Sequence, residues 1–231
     1  GIVKNSNNQY QKSFIFGSEL SAFRGLKDIS LEINFEALCE FFQYGYIPSK
    51  LSIYSGIRKI LPGHLLKIEC DKNTGFSPQF IPDEIQWYRP KEIANKEFIS
   101  QKLNIKDSII RLEKTLSSAI KDQTISDVPL GTFLSGGIDS SLITAILQSQ
   151  QKDAISSFTI SFPDDEYGEN KYFNEAPYAK SVAKYLGTNH TEIALTFKDV
   201  KDLIPKLSRI YSEPFADSSQ VPTSLVCNEA K

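Results

Sequence analysis

Apolar positions follow two different grammars along this chain, and the change between them divides it. Up to about residue 88, short strand-length runs surround one helical pattern. Ser13-Phe14-Ile15-Phe16 follows the polar cluster Asn5-Ser6-Asn7-Asn8, the pattern of a hairpin turn feeding a strand. Asn34 is placed to cap a helix that carries Leu38, Phe41 and Phe42 on one side and closes at Gly45 ahead of Pro48. The turn pair Pro62-Gly63 leads into a strand over His64 to Glu69. This first part, residues 1–88, reads as mixed α+β without a repeat.

From about Asp107 helical and strand patterns alternate. Ile109, Leu112, Leu116 and Ile120 recur at helical spacing, and Val128 to Leu134 is a nearly continuous apolar run of the buried-strand type. A helix over 139–150, a strand over 155–162, a helix over 174–186, a strand over 191–195 and a helix over 199–211 follow. Strands separated by helices of ten residues or so imply right-handed βαβ units, so 107–231 is predicted to be α/β with a parallel sheet and flanking helices. The stretch 82–104, with Pro82, Pro90 and several charges, reads as the connection, and the linker is set at 89–106.

Composition narrows the function classes. Hydrophobic residues at 40% and charged residues at 23% suit a globular core. A formal net charge of −2, from 26 Lys+Arg and 28 Asp+Glu, gives no electrostatic reason to expect nucleic acid or a membrane surface as partner. Cys39, Cys70 and Cys227 have neither disulfide nor zinc spacing, and Cys39 and Cys70 fall in helix and strand patterns where a buried apolar thiol is the default. No apolar run reaches the roughly 18 residues of a membrane span and no signal-peptide pattern opens the chain, so a cytoplasmic location is expected. The sequence has no Met, begins at Gly1 and stops within a helical pattern at Asn228 to Lys231, as an incomplete portion of a longer chain would.

Chemistry concentrates at Ser135-Gly136-Gly137-Ile138-Asp139-Ser140-Ser141, between a buried-type strand and an amphipathic helix. A helix N-terminus offers unpaired N–H groups and partial positive charge to an anion, and paired glycines let the backbone approach a phosphate chain. The hydroxyls of Ser135, Ser140 and Ser141 would add donors. A carboxylate at Asp139 would repel phosphates unless a divalent cation such as Mg²⁺ stood between them, so the loop suggests metal-bound pyrophosphate. Gly131 and Gly136 have Walker A spacing, but Gly137 and Ile138 stand where Lys and Ser/Thr are required. A nucleophile elbow at Ser135 would need glycine where Phe133 stands, and G-x-G-x-x-G is absent. The plainer alternative is a strand-to-helix turn with Asp139 as the cap.

Leu134 to Ser141 resembles the pyrophosphate loop of the ATP-pyrophosphatases, whose fold is adenine nucleotide alpha hydrolase-like. Phe14 to Leu20 and Gly56 to His64 resemble the late part of a class II, N-terminal-nucleophile glutaminase domain. Leu186 to His190 and Glu213 to Gln220 are similar to the synthetase domain of glutamine-hydrolysing asparagine synthetases. The resemblance implies residues 1–88 as the C-terminal portion of the glutaminase domain and 107–231 as the N-terminal portion of the synthetase domain. It implies a ligase that adenylates the aspartate side chain with ATP and Mg²⁺ and amidates it with glutamine-derived ammonia. An amidotransferase acting on another carboxylate, or a nucleotide-binding portion without catalysis, stays open beside it, and so does a homodimer. By position it implies that Ser135, Gly136, Gly137, Asp139 and Ser140 hold the phosphates and that Leu134 and Ile160 contact the adenosine half. Asp139 would hold the metal, and Glu175 would lie near the metal or the acceptor, with an exposed first-turn glutamate as the other reading. The glutaminase nucleophile and glutamine-binding segments would precede Gly1, and a later acidic, glycine-rich loop would follow Lys231. His64 and His190 match structural positions.

Overall fold

The computed structural model describes residues 2–4, 10–12, 14–26, 29, 31–68, 83–100, 104–163 and 174–230. The chain divides into two compact units, one of Gly1–Gln101 with Lys206–Asp217 and one of Lys102–Pro205 with Ser218–Lys231. Among the described residues no helix is long and apolar enough to cross a membrane.

In the first unit, β1 (Ile2–Lys4) pairs antiparallel with β2 (Tyr10–Lys12). Of the expected strand at 13–16, Ser13 lies outside the described residues, and Phe14 to Phe16 is irregular with Phe16 largely exposed. The expected turn at 5–8 lies outside the described residues, as does Cys70. Helix α1 (Phe35–Tyr44) forms where the pattern predicts. The Asn34 side chain accepts the N–H groups of Glu36 and Ala37, and Gly45 in the left-handed conformation ends the helix. Its inward face carries Ala37, Leu38 and Phe41, packed with Ile47 and Ile53, whereas Phe42 is 78% exposed. Cys39 is also exposed, because the core takes only the stripe through 37, 38 and 41. β3 (His64–Lys67) pairs antiparallel with β4 (Asp83–Gln86), and α2 (Pro90–Ser100) follows, so much of the stretch expected to be a connection is regular structure.

Residues 206–217, which include the short helix α7 (Leu207–Ile210), are bound into this unit by polar contacts. The Arg24 guanidinium donates to the carbonyls of Ser208, Tyr211 and Ser212, at 2.7 Å to Ser208. The Glu213 carboxylate accepts the Ile53 N–H at 2.8 Å and pairs with Lys59.

The second unit begins with α3 (Ile105–Gln123), capped by Asn104. A three-stranded parallel sheet follows in the order β5 (Gly131–Phe133), β6 (Ser156–Ser161), β7 (Asn189–Ala194). The crossovers are α4 (Ile138–Ser149) and α5 (Ala176–Leu186). The α/β class and parallel sheet expected from the alternation are therefore present. β5 is shorter than its apolar run, since Pro129 has no N–H to give a ladder. Strands running β5-β6-β7 with right-handed crossovers place α4 and α5 on one face. On that face Leu134 is buried against Ala179 and Ala183. α8 (Gln220–Glu229) also packs against β6. The helix expected over 199–211 is broken. α6 (Phe197–Leu203) is capped by Thr196 and Asp199, and a 3-10 turn over Ile204–Lys206 intervenes before α7 because Pro205 cannot donate an interior helical hydrogen bond.

Candidate functional site

The loop between β5 and α4 is fixed by its own short side chains. Ser135 N–H donates to Ser140 Oγ at 3.2 Å, the two seryl oxygens are 2.9 Å apart, and Gly137 N–H donates to Ser135 Oγ at 3.2 Å. Ser140 Oγ also reaches the Gly137 carbonyl at 3.2 Å. Ser135 and Ser140, expected as phosphate donors, thus bond to one another and close the loop. Ser141 differs: its Oγ is buried and has no hydrogen-bond partner.

Gly136 shows why this loop needs glycine. Its φ is +82°, and a Cβ there would lie 2.6 Å from Tyr178 Cβ and 2.7 Å from Ala179 N. The loop is therefore pressed against the first turn of α5, closer than any side chain permits. Gly137 serves another purpose. With φ −71° and ψ 164° it is the N-cap of α4, and no side chain caps that helix. Asp139 is consequently not a cap, contrary to the plainer alternative. It is the second residue of the first turn, exposed, where a carboxylate is favoured by the helix dipole. By helix geometry the N–H groups of Ile138, Asp139 and Ser140 have no intrahelical acceptor, the first such bond being Ser141 N–H to the Gly137 carbonyl.

The other predicted residues divide. Glu175 is the N-cap of α5 rather than part of its first turn; its side chain is exposed and caps nothing. Its carbonyl accepts the N–H groups of Tyr178 and Ala179, the two residues that abut Gly136. Glu175 thus starts the helical turn against which the loop rests. Leu134 is 1% exposed and its side chain belongs to the core, so only its backbone is left to meet a ligand. Ile160 is half-buried on β6, on the sheet face opposite the buried Thr159.

Two polar arrangements escaped the sequence pattern. Thr144 Oγ1 lies 2.7 Å from the Ser140 carbonyl and 3.2 Å from Thr132 Oγ1, both threonines being buried. The signal was one hydroxyl amid the apolar run Leu142 to Leu147. His190 Nδ1 lies 2.9 Å from Ser157 Oγ, which is 2.8 Å from Thr188 Oγ1. His190 Nε2 is buried without a partner, and burial holds the imidazole below its ordinary range, with Glu192 opposing and Lys180 assisting. His64 Nδ1 lies 3.0 Å from the Pro62 carbonyl.

Among the described residues no cluster of three His, Cys, Asp or Glu could hold a metal. Asp139 is the carboxylate in the loop's helical turn, a donor set that suits Mg²⁺ bound chiefly through phosphate oxygens and water. An open cavity of about 1560 Å³ lies in the first unit, but its lining includes no loop residue. Its charged pair Lys59 and Glu213 is engaged with each other and with backbone, so the loop is the stronger candidate on chemistry.

Residues 111–231 match the asparagine synthase family, and residues 6–80 match a glutamine amidotransferase domain. An inferred glutamine-hydrolysing asparagine synthetase 2 of Methanocaldococcus jannaschii is 35% identical over 94% of this chain and 39% of its own length. Glutamine-hydrolysing asparagine synthetase 3 of Bacillus subtilis is 28% identical over 95% of this chain and 35% of its own. Asparagine synthetase 1 of the same organism is 25% identical over 87% of this chain and 28% of its own. The chain thus spans well under half the length of these relatives.

Proposed function

Since the chain belongs to the asparagine synthase family, we propose that the protein carrying it forms asparagine from aspartate, ATP and glutamine-derived ammonia. The observation that carries this is the loop: an N-terminus of α4 without a side-chain cap, entered through a glycine pressed on α5, with Asp139 exposed in its first turn. These features support a cradle for the pyrophosphate portion of ATP.

The aspartate side-chain carboxylate attacks the α-phosphorus and the α–β phosphoanhydride bond breaks. The product is an aspartyl-AMP mixed anhydride, and pyrophosphate leaves. Ammonia then adds at the acyl carbon and AMP departs with the bonding pair. The N–H groups of Ile138, Asp139 and Ser140 face the charge that grows on the leaving pyrophosphate, and preorganised donors of this kind favour the transition state. Asp139 would hold Mg²⁺, which neutralises phosphate charge when bound. The backbone of Leu134 and the side chain of Ile160 would meet the adenosine half, and Glu175 would lie near the metal or the acceptor. Nitrogen would come from glutamine through the amidotransferase portion matched over 6–80.

The test supplies ammonia directly to the full-length protein and follows AMP and pyrophosphate. Aspartate-dependent formation of both in equal amounts is expected. ADP and phosphate as products, or nucleotide cleavage indifferent to aspartate, would overturn the proposal.

A further inference from the structure

Thr144 is fully buried and Thr132 is 9% exposed, in the contact between α4 and β5 where apolar side chains would ordinarily meet. A hydroxyl has one proton, and a carbonyl can only accept. The Thr144 hydroxyl therefore donates to the Ser140 carbonyl, 2.7 Å away, and the same hydroxyl is the donor directed at Thr132 Oγ1 across 3.2 Å. The result is a forked contact from Thr144 that ties the residue closing the loop to the strand that enters it. Ser140 is that closing residue, since its own hydroxyl bonds Ser135 and reaches the Gly137 carbonyl.

A threonine bonding the carbonyl four residues back is ordinary within helices and by itself carries nothing. What changes the argument is the second acceptor, Thr132 Oγ1, on another element. Two valines would fill the same volume without the desolvation cost of two hydroxyls. The polar pair instead fixes the rotation of the first turn of α4 against β5. We propose that Thr144, backed by Thr132, is a positioning residue for the phosphate loop, holding Ser140 so that the N–H groups of the first turn aim at the bound pyrophosphate. This rests on the phosphate-binding role proposed above for the loop.

The test compares Thr144→Val, Thr144→Ser and the double variant Thr132→Val/Thr144→Val in the full-length protein. Calorimetric affinity for inorganic pyrophosphate with Mg²⁺ is measured beside thermal stability. Thr144→Val should bind pyrophosphate about tenfold more weakly, the loss expected when a buried hydrogen-bonded group is left unpaired. Thr144→Ser keeps the hydroxyl and should stay within about twofold of wild type. The double variant should regain thermal stability, because no buried hydroxyl is left without its partner, yet remain about tenfold weaker in binding. Wild-type affinity in Thr144→Val, or recovery of both stability and affinity in the double variant, would reduce the pair to a packing role and overturn the inference alone. Failure of the wild-type protein to bind pyrophosphate would instead sink the phosphate-loop assignment and this inference with it. If Thr144→Val does not fold, the serine and double variants still decide.

Discussion

At the scale of single residues, Asp139 and Gly136 separate charge from shape. Asp139 caps nothing and is exposed, so Asp139→Asn should cost little stability, about 0.3–1 kcal/mol through the helix dipole. If it holds the cation, aspartate-dependent pyrophosphate release with ammonia should fall roughly tenfold to a hundredfold while glutamine hydrolysis survives. Unchanged pyrophosphate release would remove Asp139 from the metal. Gly136→Ala is the opposite case. Its positive φ and the closeness of Tyr178 and Ala179 make any Cβ strained, so unfolding in denaturant should show a loss of about 2 kcal/mol or more. A neutral result would mean that α5 yields to the loop.

At the scale of elements, hydrogen bonds made by short side chains decide where helices and strands stop. Asn34→Ala removes the acceptor for two orphan N–H groups of α1 and should lower stability by about 1 kcal/mol, readable in urea from the fluorescence of Trp87, the sole tryptophan. Between β6 and β7, His190 gives a pH signature. Burial holds its folded-state pKa below the unfolded value, so the unfolded chain takes up the proton first as pH falls. No penalty exists well above pH 6.5, and stability declines as pH drops through that value until the folded imidazole also titrates. The melting temperature of wild type should therefore fall more between pH 7.5 and pH 5.5 than that of His190→Asn, which cannot titrate. Equal slopes would show that His190 takes its proton freely in the fold. The residues expected to form one helix over 199–211 carry a related lesson. Thr196 and Asp199 start α6 by a reciprocal cap, and Pro205 ends it, both local chemistry that a hydrophobic period alone passes over.

For the whole molecule, sequence neighbours do not always share a unit. Residues 206–217 follow β7 and α6 of the second unit yet belong to the first, held by Arg24, Glu213 and Lys59. Glu213→Ala should expose the Ile53 amide that the carboxylate covers, speeding its hydrogen exchange by about tenfold or more. The Leu134 amide, bonded to the Phe158 carbonyl in the second unit, should keep its protection. Loss of protection at both would show that the Glu213 contact is not local to the first unit.

The sequence by itself determined what local periodicity and short motifs encode. The alternation after Asp107 gave the parallel α/β order, Asn34 and Gly45 bounded α1, and the glycine pair marked the loop at the head of α4. Tertiary structure alone decided which groups those elements use. Gly136 is required because α5 approaches it, Ser135 and Ser140 bond one another, and the Thr132–Thr144 and Ser157–His190 pairs join positions 12 and 33 residues apart. Phe42 and Cys39 stay outside although they lie on a helix with a buried stripe, because the stripe packed with Ile47 and Ile53 runs through Ala37, Leu38 and Phe41. Periodicity reports which face of an element is apolar, a property of the chain within a few turns. The partner of a buried hydroxyl, and the side chain a glycine must make room for, are set by segments that come together only when the strands align and their crossovers fold back onto them.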